Sequence, residues 1–98
     1  MLCLFIMTFH TPTHRDPSVA TSLDNVGVTF GELGRHEEAL THQKKALELR
    51  RSIFGDRHPS VATSLDNVGL TFGELRRYEE ALIHQKKALE IWRSIFGD

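Results

Sequence analysis

Six histidines and one cysteine are the side chains here with the most obvious capacity for chemistry. His42 lies four positions after Glu38, and His84 four after Glu80, a spacing that brings side chains together on one helical face. Such a pair supplies two metal ligands, whereas zinc sites take three or four. Solvated helix-surface pairs are therefore expected, and no metal is assigned. His10 and His14 share the spacing but flank Pro12 in a stretch without helical pattern, which gives no preformed site. Cys3 has no basic neighbour or helix terminus to favour its thiolate. The sequence offers no Ser/His/Asp ordering, no phosphate-cradling glycine loop and no paired inward carboxylates. The chain is expected to be non-enzymatic and to need no cofactor.

Basic residues raise a second kind of chemistry. Lys44, Lys45, Arg50 and Arg51, echoed by Lys86, Lys87 and Arg93, suggest phosphate contact in the manner of RNA-reading helical repeats. Against it, Glu37, Glu38 and Glu48 share the first of these helices, and no aromatic stacking residues accompany the lysines. The net charge is −1 and the pI about 6.6. A solvated mixed-charge face is expected, with no nucleic-acid partner. No apolar run approaches the roughly 20 residues that span a bilayer. Residues 2–7 lack a preceding basic residue and a small-residue cleavage site, so no signal peptide and no membrane partner are expected. One cysteine precludes an internal disulfide framework and fits a reducing, cytoplasmic setting.

What must position these residues is a repeat. The segment from Pro17 to Asp56 returns as Pro59 to Asp98, shifted by 42, with six differences in forty positions: Val28/Leu70, Gly34/Arg76, His36/Tyr78, Thr41/Ile83, Leu49/Ile91 and Arg50/Trp92. A period of about 20 to 50 residues marks an array whose units bury their apolar faces against one another. The organisation read from this is an irregular leader over 1–15, one repeat over 16–56 and a second over 57–98. Apolar residues of the leader, such as Leu4 and Phe9, are candidates to cover the open face of the first unit. Arrays usually need about three units and polar caps, so the pair reads as part of a longer array or as a unit that stacks with another chain.

Each copy predicts a helical hairpin. Asp16-Pro17 is a strong start, with Asp as N-cap and Pro at the first helical position. Val19, Leu23, Val26, Phe30 and Leu33 then form one helical stripe expected to face inward. Gly27 beside it predicts close approach of a second helix, because an unforced helical glycine costs about 1 kcal/mol relative to alanine. Gly34 ends the helix through positive φ. Arg76 replaces it in the second copy, where a left-handed residue with a Cβ costs roughly 1–2 kcal/mol, so the second turn should be the weaker one. The next helix is predicted over 37–54, with Ala39, Leu40, Ala46, Leu47, Ile53 and Phe54 as its stripe and Gln43 interrupting it. The short links force antiparallel neighbours. No strand signal is present.

The run His58-Pro59-Ser60-Val61-Ala62-Thr63-Ser64-Leu65-Asp66-Asn67-Val68-Gly69, followed by Tyr78-Glu79-Glu80-Ala81-Leu82 and Lys86-Lys87-Ala88-Leu89-Glu90-Ile91, resembles the tetratricopeptide repeat in the 42-residue form of kinesin light chains. The resemblance covers both copies. It departs at Gln43 and Gln85, where an aromatic residue is usual, and at Arg76. It implies an all-α fold of antiparallel hairpins stacked as a right-handed superhelix segment, acting as a non-catalytic adaptor. Its implied partners are peptide segments of other proteins, with kinesin heavy chain or cargo among them.

On that reading the concave side is lined by Thr21, Asp24, Asn25, Val28, Gly31 and Glu32, and by Thr63, Asp66, Asn67, Leu70, Gly73 and Glu74. Asn can hydrogen-bond a peptide backbone and Val28 and Leu70 offer apolar contact. The carboxylates favour basic or apolar peptides, and the alternative is that these side chains only solvate the inner face. Trp92 has two readings, an anchor for a partner or a residue that packs against a further hairpin. The near-identity of the copies also favours self-association, since matching interfaces can stack head to tail.

Overall fold

A computed structural model describes residues 16–97. Four helices follow one another: α1 (Pro17–Glu32), α2 (His36–Phe54), α3 (Pro59–Glu74) and α4 (Tyr78–Phe96). There is no strand among the described residues. Each helix packs on its neighbour in the chain, α1 on α2, α2 on α3 and α3 on α4. The result is the expected pair of antiparallel hairpins, α1–α2 and α3–α4, joined through the α2–α3 contact. The leader expected over 1–15, with Cys3, His10 and His14, lies outside the described residues.

Local signals fix the helix ends. The Asp16 side chain accepts a hydrogen bond from the Ser18 N–H at 2.9 Å, and Pro17 opens α1. In the second copy His58 takes that role, its Nδ1 accepting from the Ser60 N–H at 3.0 Å. At the far end of α1 the Arg35 N–H reaches back to the Phe30 carbonyl at 2.8 Å around Gly34, whose φ is 78°. The turn after α3 has the same shape, with Arg77 N–H to Phe72 O at 2.9 Å, because Arg76 adopts φ 63°. Arg76 thus accepts the left-handed conformation rather than reshaping the turn.

The two copies bury their stripes very differently. The main apolar cluster of the core comprises Leu40 and Leu47 from α2, Val61, Ala62, Leu65, Val68 and Phe72 from α3, and Ala81 and Ala88 from α4. It centres on α3, which has a helix on either side. The α1 stripe departs from the sequence expectation: Val19, Val26 and Leu33 are exposed and Leu23 and Phe30 only half-buried. No helix among the described residues covers that side of α1, so the same residue types that are buried in α3 stay in solvent. Gln43 also departs from expectation. It does not interrupt the buried face of α2 but joins it, its Oε1 accepting from Thr71 Oγ1 at 2.6 Å across the α2–α3 junction. Gly27 does mark a close approach, since a Cβ there would lie 3.0 Å from Gln43 Cγ and 3.3 Å from the Ala39 carbonyl oxygen.

Candidate functional site

Successive hairpins place their first helices side by side, and the space between α1 and α3 is an open recess of about 290 Å³ floored by α2. Val28, Gly31 and Glu32 come from α1, Leu70, Thr71 and Glu74 from α3, and His36, Ala39 and Gln43 form the floor. The repeat dictates its symmetry. Val28 and Leu70 are equivalent positions, and Glu32 and Glu74 stand one turn further along the same faces. All four side chains are exposed. The floor is held by the buried Gln43–Thr71 hydrogen bond and by Gly27, which leaves room for Gln43.

Electrostatically the recess is acidic. Its ionisable side chains are Glu32, Glu74 and His36, and no lysine or arginine lines it. His36 Nε2 lies 3.9 Å from Glu74 Oε1, bridging α2 and α3 at the rim. Nearby, the Arg35 guanidinium donates to both oxygens of Glu38, at 2.5 and 2.7 Å, and the Arg77 guanidinium to both of Glu80, at 2.7 and 2.8 Å. These hydrogen bonds hold the Glu38 and Glu80 carboxyls below their ordinary pKa. An acidic strip with apolar patches at a regular interval suits contact with a chain carrying apolar and cationic side chains.

Of the residues named from sequence, the structure brings Val28, Glu32, Leu70 and Glu74 together at this recess. Thr21, Thr63, Asp66 and Asn67 do not line it; Thr21 and Thr63 are exposed, and Asp66 and Asn67 half-buried. Asn25 borders a separate apolar hollow of about 300 Å³ with Val26, Thr29, Phe30 and Leu33. Asp24 is engaged in the scaffold. Its Oδ2 accepts from the Arg50 guanidinium, which also donates to Ser64 Oγ at 2.6 Å, so one nearly buried cluster ties α1, α2 and α3 together. Trp92 stands where Arg50 stands in the first copy, and it packs half-buried against the core and stacks on Phe96 at 5.8 Å. It therefore leans on its own hairpin, with one side on a hollow shared with Leu89, Arg93 and Phe96.

Sequence reasoning missed His36 and Gln43. The change from His36 to Tyr78 among six differences was a signal for the first. For the second the sign was a polar residue where an aromatic is usual, but its partner Thr71 lies on the other hairpin. His42 and His84 also differ from the solvated pairs expected: their Nδ1 atoms face the Glu38 and Glu80 backbone carbonyls, and their rings pack on Phe30 and Phe72 at 5.2 and 5.1 Å.

Stacked helical hairpins with a groove along their first helices define a solenoid of the protein-interaction class. The chain belongs to the tetratricopeptide repeat family, whose model matches residues 17–94 and so takes in all but the end of α4. A comparison with curated proteins returned no match. Membership supports a protein–protein interaction scaffold.

Proposed function

We propose that this repeat pair is a non-catalytic adaptor module that takes a peptide segment of a partner protein along the α1–α3 recess, and that the segment carries basic and apolar side chains. One observation supports this most. Val28 with Glu32 and Leu70 with Glu74 offer the same apolar–acidic pair twice along one recess free of lysine and arginine. The 42-residue period and the run from His58 to Ile91 support a kinship with kinesin light chain arrays. On that reading the segment comes from a cargo protein or the kinesin heavy chain, in the cytoplasm.

The test is selection from a random peptide library on the purified chain, followed by anisotropy titration of the selected peptides. Enrichment of Lys or Arg beside Leu, Ile or Val is expected. The variant E32Q/E74Q should weaken these peptides about five- to thirtyfold, because two rim charge pairs together are worth about 1–2 kcal/mol. Selection of acidic peptides, or unchanged affinity in the variant, refutes the assignment.

A further inference from the structure

The two open faces of the described hairpins are the two halves of an interface that the chain already forms once. At the internal junction, Leu40, Gln43 and Leu47 of α2 meet α3, and all three are buried. Their equivalents on α4 are Leu82, Gln85 and Leu89, identical in type and open to solvent: Leu47 is 4% exposed and Leu89 46%. The other half repeats the pattern. Val61, Ser64, Val68 and Thr71 of α3 are buried, while their equivalents Val19, Ser22, Val26 and Thr29 on α1 are exposed, Val68 at 0% and Val26 at 43%.

From this we infer that the chain binds a second copy of itself head to tail, the α4 face of one copy receiving the α1 face of the next as α2 receives α3. The occupant follows from the repeat itself, since α1 carries the residues that this kind of face buries within the chain. Gln85 finds Thr29 of the next copy as Gln43 finds Thr71, so that polar pair is satisfied when buried. Such a contact is heterologous: it uses two different faces and leaves one of each free, so it extends rather than closing at a dimer. Two contacts differ: His36, 3.9 Å from Glu74 across the internal junction, becomes Tyr78, and Arg50, which donates to Ser64 across it while pairing with Asp24 of its own hairpin, becomes Trp92. The contact between copies is therefore the more apolar of the two and is little weakened by salt.

The experiment is sedimentation of the full 98-residue chain over a wide concentration range, alone and as two single-face variants, Val26→Glu on α1 and Leu89→Glu on α4. Both positions are exposed, and helicity is checked by circular dichroism. The wild-type mass should climb from 11.2 kDa without levelling at a dimer, and do so equally in low and high sodium chloride. Each variant alone should stay monomeric. Their equimolar mixture should form a dimer and stop there, since it offers one intact α4 face and one intact α1 face. Should either variant lose helicity, Val19→Glu and Leu82→Glu form an equivalent pair. A monomeric wild-type chain overturns the inference, as does a mixture that stays monomeric, a single-face variant that still dimerises, or association abolished by salt.

Discussion

The same substitution made at two equivalent positions, Gly27→Ala and Gly69→Ala, should have different costs, and the reason lies outside both hairpin interiors. Crowding is nearly equal at the two sites. A Cβ at Gly27 would sit 3.0 Å from Gln43 Cγ and 3.3 Å from the Ala39 carbonyl oxygen; at Gly69 the distances are 2.9 Å to Gln85 Cγ and 3.2 Å to the Ala81 carbonyl oxygen. What differs is whether the glutamine can yield. Gln85 is exposed and swings into solvent, whereas Gln43 is buried and fixed by Thr71. At Gly69 the helix-propensity gain of about 1 kcal/mol roughly offsets the residual contact with the carbonyl. At Gly27 the glutamine must move, which adds about 1–3 kcal/mol for a buried hydrogen bond broken. Gly27→Ala should therefore be about 2 kcal/mol less stable than Gly69→Ala. Urea unfolding followed by circular dichroism, at one concentration low enough for a monomer, measures both. A cycle with Thr71→Val isolates the cause, because removing the hydroxyl first should shrink the Gly27→Ala penalty toward that of Gly69→Ala. Equal costs in the two copies, or a penalty at Gly27 indifferent to Thr71, would refute the reasoning.

Three further outcomes follow from the same contacts. Arg76→Gly should stabilise the chain by about 1 kcal/mol, as relief of roughly 1–2 kcal/mol of left-handed strain outweighs the extra backbone entropy of glycine, and thermal melts should show a raised Tm. Arg50→Ala should cost about 2–4 kcal/mol by leaving the Asp24 carboxylate without its cation, one of whose oxygens, Oδ1, is already buried without a partner; Arg50→Met with Asp24→Leu should recover most of that in urea melts. Asp16 is held below its ordinary pKa by the Ser18 N–H and hydroxyl, as are Glu38 and Glu80 by their arginines. Folded values below unfolded ones mean a contribution fully present above about pH 4.5 and lost as pH falls through the folded values, so urea midpoints should drop in that acid range and drop less in Glu38→Gln/Glu80→Gln.

The helices and their pairing were legible because their causes are local. Asp16-Pro17, Gly34 and the short links act within a few residues of where they stand, and even the left-handed strain at Arg76 could be anticipated from the glycine it replaces. The burial of the stripes was not legible, and the repeat shows why. Leu47 and Leu89 share type, helix position and flanking residues, yet one is buried and the other half in water. Their immediate neighbours, Ala and Glu, are the same in both copies, and the difference is made by α3 lying over one and nothing among the described residues lying over the other. Asp24 and Gln43 misled for the same reason. Read along their own helices, one faced the groove and the other broke a stripe; their partners Arg50 and Thr71 are 26 and 28 residues away. In a stacked array the residue type fixes what a face can pair with, and the neighbouring unit decides whether it does. The exposed residues of α1 and α4 thus mark faces that no other described element covers, and supplying a second copy in solution is the direct way to test what they pair with.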